Sequence, residues 1–175
     1  MKKTLFAIAL AAVLPLSAAA AERSYTYVEG TYNNIESDID GFGVRGSIQF
    51  ADTGFYALGQ YQNFSERSAD ADFFELGLGY AMNLSDSLDL ITEAAYTDFD
   101  LVDGYRVSVG VRNSFTANLE GLAKVNYRDV DVLGNDFTYT AGLLYNVNPT
   151  WGVTGEIEFD GDRGEVYTLG LRASF

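Results

Sequence analysis

The 175-residue chain has no cysteine and no histidine, and only two prolines. Without cysteine, a disulfide framework, a thiol nucleophile and a lipidated N-terminal cysteine are all excluded. Without histidine, the base that serine hydrolases and acyltransferases generally use has no candidate, and a zinc site loses its main nitrogen ligand. Positive charge is also scarce: 11 lysines and arginines stand against 25 acids, a formal charge of −14. A field of that sign repels nucleic acid and anionic headgroups, so neither is expected as a direct partner. Strong acidity often accompanies disorder, but disordered chains are poor in aromatics, and this one carries 12 Tyr and 12 Phe. It is expected to fold, as one domain.

The one long apolar run opens the sequence. In "MKKTLFAIALAAVLPLSAAAAE", two lysines precede an apolar stretch from Leu5 to Leu16, and small residues continue up to Glu22. This is the pattern of a secretory signal peptide cut after Ala20 or Ala21, and it is too short for a spanning helix. Residues 1–21 are therefore expected to be removed. Lys2 and Lys3 leave with them, so residues 22–175 form a 154-residue domain with nine bases, 25 acids and a net charge of −16.

The rest of the chain alternates with period two and shows no sustained helical period. "FGVRGSIQF" from Phe42, "YRVSVGVRNSF" from Tyr105 and "WGVTGEIEF" from Trp151 are clear examples. Ten strands are predicted near residues 24–34, 41–51, 55–64, 72–83, 88–98, 104–115, 119–128, 137–147, 151–159 and 165–175. An eight-stranded arrangement is the alternative if 55–64 and 88–98 are not strands. Short connections ("DTG", "LSDS", "TAN", "NPT") alternate with longer acidic ones, and the short ones recur every 31–33 residues from Gly54 to Ser87, Asn118 and Thr150. An even number of antiparallel strands with short turns at one end and longer loops at the other is the plan of an up-and-down transmembrane β-barrel of the outer membrane.

A soluble barrel would alternate too, with its apolar face inside. Three features favour the membrane version. Each strand carries more bulky apolar residues on one face than a small barrel can enclose. Aromatics sit near the strand ends on that face: Phe50, Phe55, Phe115 and Trp151 at one end, Tyr32, Tyr61, Phe74, Tyr105, Tyr127, Phe137 and Phe159 at the other, as membrane-interface girdles do. The opposite face balances its own charge. Parity places Glu29, Glu75, Glu93, Glu120, Glu156 and Glu158 inside together with Arg45, Arg106, Arg112, Lys124, Arg128 and Arg172. Unpaired charges in a confined lumen would cost several kcal/mol each, roughly, so an ion-pair network is expected there. With Gln49, Gln60, Gln62 and Asn126 it should largely fill the lumen. A pore lining or an acid–base pair such as Glu156 and Glu158 is the sharper alternative; the structural network is favoured, and no enzymatic role is expected.

The longer connections each carry an Asp-x-Asp: Asp38 and Asp40, Asp70 and Asp72, Asp98 and Asp100, Asp129 and Asp131, Asp160 and Asp162. Carboxylates so clustered suit weak Ca²⁺ or Mg²⁺ binding, attraction of cations to a pore mouth, or cation-bridged contact with lipopolysaccharide. Turn capping and solvation by aspartate explain the same repeat without a ligand, and no loop has the spacing of a tight calcium site.

The chain ends in "VYTLGLRASF". Tyr167, Leu169, Leu171 and the terminal Phe175 form an alternating pattern that resembles the C-terminal signal by which outer-membrane assembly machinery recognises its clients. "SYTYVEGTY" from Ser24, "GYRVSVGVRNSFTANLEG" from Gly104 and "NPTWGVTGEIEF" from Asn148 resemble the Ax-type outer-membrane proteins, a family whose members once carried a quorum-factor label. The likeness runs in patches over residues 22–175 and, more distantly, extends to OmpA- and OmpX-like barrels. It implies a small outer-membrane barrel in a Gram-negative envelope and assigns no activity. The resulting expectation is a monomer exported through the periplasm, with both termini periplasmic, a charge-paired lumen and acidic outer loops in contact with lipid and lipopolysaccharide. Its role would be structural or surface interaction. The alternative is a narrow, cation-preferring porin-like channel.

Overall fold

Alternating apolar and polar side chains settle into strands when the two faces of a sheet meet different surroundings. The computed structural model describes residues 23–35, 39–66, 69–99, 102–130, 134–160 and 164–175. Among these residues ten strands form: β1 (Tyr27–Ile35), β2 (Ile39–Gln49), β3 (Phe55–Glu66), β4 (Ala69–Ser85), β5 (Leu88–Phe99), β6 (Val102–Ser114), β7 (Leu119–Val130), β8 (Gly134–Asn146), β9 (Trp151–Asp160) and β10 (Glu165–Ser174). Each pairs antiparallel with its sequence neighbour, and β1 closes on β10, so the sheet is a closed up-and-down barrel without an edge. Segments β3 and β5 have strand partners on both sides, which rules out the eight-stranded alternative.

The barrel is apolar outside and polar inside. Phe42, Leu169 and Phe175 on the outer face are 70%, 61% and 76% exposed, whereas Glu29 and Asn33 on the inner face are fully enclosed. An apolar surface of that extent is stable only against lipid. Cross-strand aromatic pairs reinforce it: Tyr32 and Phe42 lie 5.3 Å apart by ring centroid, and Tyr127 and Phe137 lie 5.2 Å apart.

Two expectations are corrected. The first strand does not start at residue 24: the register of β1 with both neighbours begins at Tyr27, and Arg23–Thr26 leave the wall. The connections expected as longer loops are instead mostly ladder. Pairing continues to Ile35 with Ile39, Glu66 with Ala69, Phe99 with Val102 and Val130 with Gly134. Backbone groups at a hairpin end gain partners by extending the ladder, and acidic side chains do not prevent it.

Candidate functional site

Register builds the inner face. Glu29 on β1 stands opposite Arg45 on β2 and Arg172 on β10, so one carboxylate lies between two guanidinium groups. Arg45 Nη2 is 2.7 Å from Glu29 Oε1, and Arg172 Nε is 2.6 Å from Oε2. Thr154 Oγ1 also donates to Oε1, at 2.6 Å. Arg45 turns its remaining donors to Glu156, at 2.6 and 2.8 Å. The Arg172 guanidinium rests 3.8 Å above the Tyr27 ring. Gly170 makes room for this group: a Cβ there would collide with Glu29 Oε1 and Thr154 Oγ1.

A second cluster occupies the β4–β7 wall. Arg106 grips Glu75 with two donors at 2.6 and 2.8 Å and reaches Glu93 with a third at 2.9 Å. Lys124 also approaches Glu93, at 3.3 Å, and Tyr56 donates to it at 3.0 Å. Below and above lie Arg112 with Glu120 and Arg128 with Glu158, each at 2.7 Å. Buried Asn126 accepts from Ser108 at 2.7 Å and donates to Thr138 and Thr140 at 3.0 and 2.9 Å, linking the β6–β8 wall. All twelve charged residues assigned to the lumen by parity thus take part in ion pairs. Gln62 donates to Asn33 near the hairpin end, and Gln60 lines the remaining space. That space is a cavity of about 160 Å³, below the roughly 300–1,000 Å³ of small-molecule sites.

Sequence reasoning missed the group that closes one end. Arg23–Thr26, preceding β1, reach across the lumen to β5 and β6, which lie about half-way round the barrel. Arg23 donates to Asp89 through Nε at 2.7 Å and Nη2 at 2.8 Å, and Tyr25 donates to the same carboxylate at 2.8 Å. The Asp89 hydrogen bonds hold the Arg23 pKa above its ordinary value. Tyr25 stacks on Tyr56 at 5.1 Å and packs with Ile91, Leu58, Ala81 and Leu122 into an apolar cluster. Asp89 shares the parity of Glu93 on β5 and so was legible as a lumen acid. Arg23 precedes the alternation and carried no such signal.

At the opposite end, Asp38, Asp100, Asp131 and Asp162 lie outside the described residues, as do the side chains of Asp70 and Asp160. The other members of the Asp-x-Asp pairs serve the aromatic girdle. Asp40 accepts from Tyr32 at 2.5 Å, Asp72 from Tyr61 at 2.9 Å, Asp98 from Tyr96 at 3.5 Å and Asp129 from Tyr105 at 2.9 Å. Among the described residues no three metal-ligating side chains converge. Tyr167, Leu169, Leu171 and Phe175 all face outward, and the Phe175 amide donates to Thr26 O at 2.9 Å.

No protein-family model and no curated protein matches the sequence. The fold, however, is found among solved porins. A KdgM porin in complex with disordered oligogalacturonate superposes with a TM-score of 0.61 at 13% identity, over 85% of this chain and 99% of that one. A second KdgM porin structure gives 0.57 at 15% identity over the same shares. The NanC porin gives 0.55 at 11% identity, over 86% of this chain and all of its own. The architecture is that of the small outer-membrane porin barrels.

Proposed function

We propose that this chain is an exported, monomeric outer-membrane barrel of porin type whose lumen rests closed, and that its role is structural or at the cell surface. The observation that carries the reading is the lumen itself. Two clusters of ion pairs line its wall, and Tyr25 with its apolar neighbours fills the end where β1 begins and β10 ends. In this reading residues 1–21 are a cleaved signal peptide, the termini face the periplasm, and Tyr167, Leu169, Leu171 and Phe175 address the chain to the assembly machinery. The patches resembling Ax-type proteins support the same architecture. The acidic hairpin tips face outward, where weak Ca²⁺ or Mg²⁺ binding would let them bridge to lipopolysaccharide phosphates.

The likeness to porins favours a second reading, a narrow cation-preferring channel. A guest like that of the oligogalacturonate-bound KdgM porin suits this lumen poorly, because each lumen base already faces a carboxylate and an acidic sugar would have to displace one. Planar-bilayer conductance of the refolded chain, checked for its gel-mobility shift on boiling, decides between the two readings. The expected result is a folded, silent barrel. Steady, reproducible current steps would establish the channel instead.

A further inference from the structure

The lumen's closure at the terminus-bearing end differs in kind from the ion pairs deeper inside. Those pairs join strand to strand and belong to the wall. The closure comes from three residues outside every strand ladder, since β1 enters register only at Tyr27. Thr26 is fixed: Phe175 N donates to its carbonyl at 2.9 Å and Gln49 N to its Oγ1 at 3.1 Å. Beyond Thr26, Ser24 Oγ donates to Phe175 O at 3.0 Å and Ser47 Oγ to Tyr25 O at 2.7 Å on the near side, and one carboxylate, Asp89, anchors the segment to the far wall.

Asp89 collects four hydrogen bonds, two from Arg23, one from Tyr25 and one from Asn83 at 3.2 Å. Around it, the carbonyls of Ser85 and Asp86 and the hydroxyl of Ser114 accept from the same guanidinium at 3.4, 3.0 and 3.3 Å. These acceptors form a socket for a guanidinium, built from the β4–β5 turn and the end of β6. Behind it, Arg112 lies 4.8 Å over the Tyr25 ring and donates to Ser24 O at 2.8 Å. The chamber of about 160 Å³ lies behind Tyr25 and is lined by charged groups such as Glu93, Arg106 and Lys124 together with Leu58, Ile91 and Leu122; its charged groups let water wet it.

We propose that Arg23–Tyr25 is a periplasmic gate, hinged at Thr26 and latched by the Arg23 guanidinium in the Asp89 socket. Releasing the latch admits water and small solutes to the chamber while the barrel wall stays intact. Loss of the one carboxylate unmakes both the ion pair and the Tyr25 hydrogen bond, and the closed segment keeps the Arg112 and Ser47 bonds to its backbone and the Tyr56 stack as its weaker hold. The gate rests on the reading of the chain as a porin-type barrel.

The absence of cysteine makes the test direct, because one introduced thiol is the only reactive one. Gln60, which lines the chamber and carries no charge to pair, is replaced in the Gln60→Cys reporter. The refolded reporter is treated in lipid vesicles with a hydrophilic, membrane-impermeant thiosulfonate. Combining the reporter with Asp89→Asn, or with Arg23→Ser and Tyr25→Ser together, should raise its labelling rate about tenfold or more, as expected when a closed segment becomes mostly open. Each protein is checked for the gel-mobility shift on boiling. Unchanged labelling in variants that retain the shift overturns the gate. If Asp89→Asn fails to fold, the Arg23 and Tyr25 pair, outside every strand, decides alone. A parent chain that never shows the shift overturns the barrel reading itself, which separates the two failures.

Discussion

Glu29 and Arg172 meet across the seam where the first strand closes on the last, with Nε 2.6 Å from Oε2. The same carboxylate holds Arg45 on the other side, so the closing strand and its two neighbours are joined by one buried acid. Removing its charge leaves the enclosed Arg172 guanidinium without its carboxylate, while Arg45 keeps Glu156. Glu29→Gln should destabilise the barrel by about 3–5 kcal/mol, the cost of breaking a buried pair from one side. Denaturant unfolding in vesicles measures this; a loss below about 1 kcal/mol, the range of exposed pairs, would mean that the seam does not depend on Glu29.

Gly170 supplies the space in which that carboxylate sits. Gly170→Ala would drive a methyl group into Glu29 Oε1, and should cost about 1–3 kcal/mol as overpacking does. Gly155→Ala is the control, because a Cβ there finds only Leu169, at 3.8 Å. Equal stability of the two variants would count against a tightly packed seam.

The outer face is lipid-facing by chemistry, which a single substitution tests. Leu169 is 61% exposed on β10. Leu169→Arg should lower the folding free energy in vesicles by about 2–4 kcal/mol, as an arginine near the bilayer midplane does. Indifference to the charge would place Leu169 outside the hydrocarbon.

For the acidic hairpin tips, the expected outcome is modest. If they take divalent cations, millimolar Ca²⁺ should slow proteolysis of the tips and a chelator should reverse it. If the chain conducts, neutralising Asp38, Asp40, Asp160 and Asp162 should lower its cation preference. Unchanged proteolysis in the first case, or unchanged selectivity in the second, removes that role from the tips.

Much of the lumen was legible because a strand has one degree of freedom, its parity. Once Glu29 is inward, so are Thr31 and Asn33, and the same rule assigned Arg45, Glu156 and the others to the inner face. The tyrosine partners of Asp40, Asp72, Asp98 and Asp129 were not legible. Those aspartates read as solvated loop residues, whereas the ladder continued far enough to bring them level with girdle tyrosines. Pairing within the lumen was also hidden, since Arg45 bonds Glu156 across 111 residues of sequence.

The sequence alone determined that the chain alternates with period two, that the alternating faces differ in chemistry, and that acids and bases share the inner face. These features come from local periodicity and composition, which need no knowledge of where distant segments lie. Only the tertiary structure decided which acid holds which base, and that Arg23–Tyr25 turn off the wall into the lumen. Those outcomes depend on closure of β1 against β10, which sets the register around the barrel and brings Asp89 within reach of an arginine 66 residues away.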